Sequence, residues 1–148
     1  MSRQGARAVA IARDWLGTPY LHQASKLGVG TDCLGLLRGI WRGLYGAEPE
    51  AIPPYADDWS EPSREERLWA GASRHLLALP ADAVPAEGQV LLFRMRDNAV
   101  AKHVGVQGAI GAAPSFIHAY TGHGVIESPL SLPWARKIVA RFEFLEEV

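Results

Sequence analysis

Apolar residues recur at helical spacing through the first half of the chain and at alternate positions through much of the second. Residues 3–16 predict an amphipathic helix with Ala8, Ile11, Ala12, Trp15 and Leu16 on one face, stopped by Gly17 and Pro19. A second helix follows Asp32, with Leu34, Leu37, Trp41 and Leu44 as its stripe and Ile40 and Tyr45 widening it. Asp32 is a good N-cap, since its carboxylate can accept from the free amides of the first turn. The loop between these helices, 18–31, carries Tyr20 and His22. Gly35, Gly39 and Gly43 recur every four residues in the second helix, each costing about 1 kcal/mol against alanine. Either a neighbour packs very close there, with a sheet expected, or the helix is frayed.

Residues 46–62, rich in proline and acid, read as a long surface loop. Ser63-Arg64-Glu65-Glu66 forms a capping box that opens a third helix through Leu68, Trp69, Ala72, Leu76 and Leu79, with His75 on its solvated face. After Pro80 the pattern turns to strands: 89–95, 102–110, 116–120, 125–127 and 138–145. In the second of these His103, Gly105 and Gln107 share one face and Val104 and Val106 the other. Helices first and strands afterwards predict one α+β domain over 1–148, with helices packed on an antiparallel sheet of about five strands.

Composition narrows the function classes. With 148 residues and 48% hydrophobic content, the chain can bury a core of its own. Fifteen basic and sixteen acidic residues give a net charge of −1, so neither a nucleic-acid surface nor a polybasic membrane anchor is expected. No apolar run approaches the ~18 residues of a membrane span. One cysteine allows no internal disulfide, and Met1-Ser2-Arg3-Gln4 leads into a helix and not a signal peptide. Synthesis and folding in the cytoplasm are expected, with carriage elsewhere left to another agent.

The candidate chemistry centres on Cys33. Behind an N-cap it would sit in the first turn of a helix, where the dipole favours a thiolate. A lone cysteine is also a common inert core residue. His103 and His118 are equidistant from a centre between Ile110 and Gly111. A hairpin turning there sets them face to face, and a register shift of two residues keeps them on one face. Gly105 on that face leaves room for a helix end to approach. A cysteine at a helix start, a histidine on a strand and a polar residue behind it is a layout for thiol catalysis. Cys33, His103 and His118 could instead bind zinc with an open site, or each histidine could be structural.

These residues carry a resemblance. Asp32-Cys33-x-Gly35-Leu36, His103-Val104-Gly105-Val106 and Phe116-Ile117-His118-Ala119 are similar to the three motifs of the NlpC/P60 cysteine peptidases. Trp15-Leu16-Gly17-Thr18-Pro19-Tyr20 matches the run before that family's catalytic helix, and the likeness extends from about Ala8 to Phe144. It is nearest to the phage-type branch, which includes cell-wall peptidases of phage tails and gene transfer agents. The resemblance implies a papain-like core that needs no metal or cofactor and hydrolyses peptidoglycan stem peptides, at the γ-D-glutamyl to diamino-acid bond. Carried over residue by residue, Cys33 is the nucleophile, His103 the general base and acid, His118 the group that orients His103, and Tyr20 a donor to the oxyanion. Leu34 stands where many members have serine, and Gln89 follows Gly88 where aspartate is common. Substrate contact would then fall to Asp32, as acceptor for a free amine, to Leu34, and more distantly to Arg38. Without a wall-binding module, delivery to the periplasm or wall is expected from a phage-like tail or baseplate partner. The same fold also serves thiol amidases and acyltransferases, and a non-catalytic tail component is a further alternative.

Overall fold

A computed structural model describes residues 3–55 and 66–146. Helix α1 (Arg3–Asp14) leads into a loop holding a two-stranded ribbon, β1 (Ser25–Lys26) and β2 (Gly30–Thr31), and then into helix α2 (Cys33–Tyr45). Helix α3 (Arg67–His75) and strands β3 (Leu77–Ala78), β4 (Val90–Phe93), β5 (His103–Gln107), β6 (Ser115–Tyr120) and β7 (Gly124–Pro129) follow. A short helix α4 (Leu132–Ala135) and strand β8 (Ile138–Glu143) complete the order. Six strands form one antiparallel sheet in the order β3-β8-β4-β5-β6-β7. The α+β class matches the expectation. The sixth strand comes from Leu77–Ala78, where the sequence pattern predicts the end of a helix.

All four residues of β4 and all five of β5 are buried, because both faces of the sheet are covered. One face carries Val90, Leu92, Val104, Val106, Ile117 and Phe142, packed against Ala8, Ala12, Leu36 and Ile40 of the first two helices. The other carries Leu91, Phe93 and Phe116 under Leu130, Trp134 and Ile138. Leu36 and Ile40 are at most 1% exposed, each contributing about 1.5–3 kcal/mol by the apolar surface it removes from water.

Several expectations are corrected. Leu16, placed on the buried face of α1, is 42% exposed, since the helix ends at Asp14 and the chain turns away. The glycine stripe of α2 faces α1 and the incoming loop, not the sheet. A Cβ on Gly39 would lie 2.2 Å from the Trp15 ring, one on Gly43 2.8 Å from Ile11, and one on Gly35 1.9 Å from the Ala24 carbonyl oxygen. Ser63, Arg64 and Glu65 of the expected capping box lie outside the described residues. The carboxylate of Glu66 accepts instead from Arg94 (2.6 Å) and the Ala101 amide (2.7 Å). His75 is half-buried and bonds Glu50 (3.0 Å) rather than standing in solvent. In the proline-rich segment Ile52 and Tyr55 pack on the core.

The β5–β6 hairpin closes through Gly108 N–H to the Ser115 carbonyl (2.8 Å) and Ala109 N–H to the Ser115 hydroxyl (2.8 Å). Val106 therefore faces Ile117 and Gln107 faces Phe116, two residues off the symmetric register. A shift of two preserves the face, so His103 and His118 stay together. Gly105 serves them and not a helix: its Cβ would meet the Phe116 ring at 3.1 Å and His118 Cβ at 3.2 Å. The loop after α1 lies along β7, with Gly17 N–H donating to Val125 O (3.0 Å) and Val125 N–H to Thr18 O (2.9 Å). Gly124 begins β7 at φ +74, and Thr18 O would stand 2.5 Å from a Cβ there, so no side chain is tolerated.

Gly39→Ala should lower stability by about 2 kcal/mol, because overpacking against the buried Trp15 ring outweighs the ~1 kcal/mol gain in helix propensity. Chemical denaturation measures it; an unchanged or higher midpoint would show that Trp15 moves aside freely.

Candidate active site

Cys33 is the first residue of α2, and the start of that helix is held by Asp32. One carboxylate oxygen of Asp32 accepts from Gly35 N–H (2.7 Å), the capping bond. The other accepts from Gln23 N–H (2.8 Å) and from the Tyr55 hydroxyl. Asp32 is 3% exposed, and both its oxygens are already bonded, so its expected meeting with a substrate amine is replaced by a capping role. Gln23 reaches it from a left-handed backbone, φ 65, the only non-glycine residue so placed among the described residues. The Tyr55 ring is edge-on to His22 (5.1 Å between centroids), and Tyr55 O bonds His22 Nε2 (2.6 Å).

Helix and sheet meet at the thiol. Cys33 Sγ lies 3.7 Å from Lys102 O, and the Val104 amide also bonds it, so it rests against the peptide groups on either side of His103. His103 Nε2 is 2.8 Å from His118 Nδ1, and His118 Nε2 is 2.9 Å from the Ser128 hydroxyl. Phe93, Phe116, Tyr120 and Trp134 wall in the two imidazoles, Phe116 at 4.1 Å from His118 and Trp134 at 5.8 Å from His103. Tyr20 forms an isolated bridge with Thr31, anchored by Thr31 N–H to Pro19 O (2.9 Å) and Leu21 N–H to Thr31 O (3.0 Å). Its backbone is thus fixed two residues before the thiol.

Of the other expected contacts, Leu34 is 8% exposed and turns into the core. There it lines a cavity of about 430 Å³ with Leu37, Trp41, Ile52, Tyr55 and Leu68. Arg38 is paired with Glu48 at 2.6 Å. The two histidines turn ring nitrogens toward each other, and among the described residues no three of His, Cys, Asp and Glu are grouped to hold a metal ion. Ser128, Tyr55 and Trp134 belong to the site without any sequence signal that marks them.

Burial holds the resting groups neutral. It pushes the half-buried Cys33 thiol up to about 12, the Asp32 charge adding to it while the amides of Val104, Leu34 and Cys33 oppose it. Burial lowers His103 to about 3, helped by His118, and His118 to about 4, helped by His123. Burial, then the Asp32 hydrogen bond and charge, raise Tyr55. Both groups therefore rest uncharged, the thiol protonated and each imidazole with a single proton.

No family model and no curated protein matches the sequence. Solved structures do resemble the fold. An NlpC/P60 family protein from Bacillus cereus superposes with a TM-score of 0.65 at 20% identity, over 95% of this chain and 40% of that one. NlpC2 from Trichomonas vaginalis gives 0.65 at 19%, over 97% and 48%. An N-acetylmuramoyl-L-alanine amidase from Bacteroides uniformis gives 0.50 at 11% identity, over 95% of this chain and 98% of that one. The chain thus spans less than half the length of the NlpC/P60 proteins it resembles, and what it shares with them is an NlpC/P60-like α+β fold.

The depressed histidines set a pH dependence of stability. Each is lowered from an ordinary value of 6.5, so below that pH the unfolded chain binds protons that the folded one refuses. Stability is full above 6.5 and is lost as pH falls toward about 3. The melting temperature should fall between about pH 7 and pH 5, before most carboxylates titrate. His103→Gln should flatten that fall in calorimetry; an equal slope in the variant contradicts this origin.

Proposed function

We propose that this chain is a cysteine peptidase of the NlpC/P60 type that hydrolyses amide bonds in the stem peptides of peptidoglycan. The observation that carries the reading is the seating of the Cys33 sulfur against the peptide groups flanking His103, whose far nitrogen bonds His118. The motif resemblance and the NlpC/P60-like fold support it.

In this mechanism His103 takes the thiol proton at Nδ1 while Cys33 Sγ attacks the amide carbon. The carbonyl π bond opens to an oxyanion, which the Cys33 backbone amide and the Tyr20 hydroxyl stabilise, at a few kcal/mol per donor. As the oxyanion collapses, the C–N bond breaks and His103 returns the proton to the leaving amine. Water, deprotonated by His103, then attacks the thioester, releasing the acid and restoring the thiol. His118 keeps the His103 ring oriented throughout. Because both resting groups are neutral, proton transfer accompanies attack.

The favoured bond is the γ-D-glutamyl to diamino-acid link that the motif resemblance implies. Delivery by a phage-like tail or gene-transfer particle rests on the likeness to the phage-type branch. A second reading, cleavage of the muramoyl–alanine amide, draws on the amidase that this chain matches over 98% of that protein's length. Mass spectrometry of digested muropeptides separates the two: a new amino terminus within the stem supports the peptidase, release of the whole stem the amidase.

Cys33→Ala should abolish hydrolysis with the fold retained, and Cys33→Ser should be nearly as inactive; more than a few per cent residual activity in either would falsify the thiol mechanism. If His118 orients His103, His118→Asn should keep part of the rate and His118→Ala should lose about 10²-fold or more, the scale of acid–base assistance. Chelators should change neither. Loss on chelation, restored by zinc, would favour metal chemistry instead.

A further inference from the structure

The His118 contact with Ser128 (2.9 Å) has no part in the mechanism above. We propose that Ser128 is a positioning residue that selects the productive proton arrangement of both imidazoles. The proposal rests on Cys33 and His103 acting as described.

The argument follows the protons. At neutral pH each ring carries a single proton, since burial disfavours the cation at both. To accept the thiol proton at Nδ1, His103 must carry its own proton on Nε2, where it donates to His118 Nδ1 across 2.8 Å. His118 must then hold its proton on Nε2, the nitrogen facing Ser128 Oγ. The productive state therefore requires the serine oxygen to accept. In the reverse order the hydroxyl donates to His118 Nε2, His118 donates from Nδ1, and His103 is protonated on Nδ1 and cannot act as base. The direction of the Ser128 bond is thus coupled to the tautomers of both rings.

The setting suits that role. Ser128 faces Phe116 in a β6–β7 ladder paired without a break from Ser115 to Tyr120, so its backbone is fixed relative to His118. The rings of Phe116, Tyr120 and Trp134 pack around His118 and oppose rotation out of line. A carboxylate here would also accept, at the cost of a charge against this aromatic wall.

Long-range proton–nitrogen NMR on the intact protein reads which nitrogen of each ring is protonated. Both rings should carry the proton on Nε2. Ser128→Ala should move a measurable fraction of His118 and His103 to the Nδ1 form and lower kcat on stem peptide about tenfold at unchanged KM. Ser128→Thr should restore both readouts. Nδ1 protonation in the unaltered protein, or tautomers unmoved in Ser128→Ala, overturns the proposal. The ring readout needs no substrate. Shifted tautomers in a protein that cleaves no stem peptide would uphold the relay while removing the proposed activity, whereas unmoved tautomers in an active enzyme would remove the relay alone.

Discussion

One buried carboxylate holds this structure's working parts in register. Asp32 caps α2, ties down the loop through Gln23 and draws in the proline-rich segment through Tyr55. Three stretches remote in sequence thus converge on the residue beside the thiol. A buried carboxylate left without donors costs several kcal/mol, so each donor is a condition of the others' burial. The left-handed backbone at Gln23 is a strain the cap offsets.

The same carboxylate disfavours a thiolate at Cys33. Burial is the larger cause of the raised Cys33 thiol and the Asp32 charge adds to it, against the pull of the helix start and the amides that bond the sulfur. Helix geometry and electrostatics thus disagree at one residue, and geometry decides the fold. The outcome is a sulfur held at the helix start and protonated at rest.

What was legible in the sequence had a short period or a local rule behind it. Asp32 before an apolar stripe marks a helix start, and the start places Cys33. Alternation put His103 and His118 on one face even though the turn was centred in the wrong place, because an error of two residues leaves the face unchanged. Periodicity says which side of an element is covered and not by what. The glycine stripe of α2 therefore implies a close neighbour without naming it, and Trp15 and Ile11 fill the space. Tyr55 and Ser128 reach their partners over 23 and 10 residues, with no spacing rule connecting them. The two-residue strand at Leu77 is too short to carry any alternation, and pairing with β8 alone defines it.

The loop that runs along β7 has a consequence for association. A strand at the rim of a sheet normally offers free amides and carbonyls to any extended chain, and such rims seed aggregation. Here the backbone at residues 17 and 18 occupies the positions around Val125. Farther along, Arg13 pins the Glu127 carboxylate (3.1 Å), and the strand ends on Pro129, which has no amide to give. At the opposite rim β3 pairs with only Phe142 and Glu143 of the six-residue β8. The β7 rim of the described sheet is therefore guarded against a second strand, whereas the β3 side covers only one end of β8.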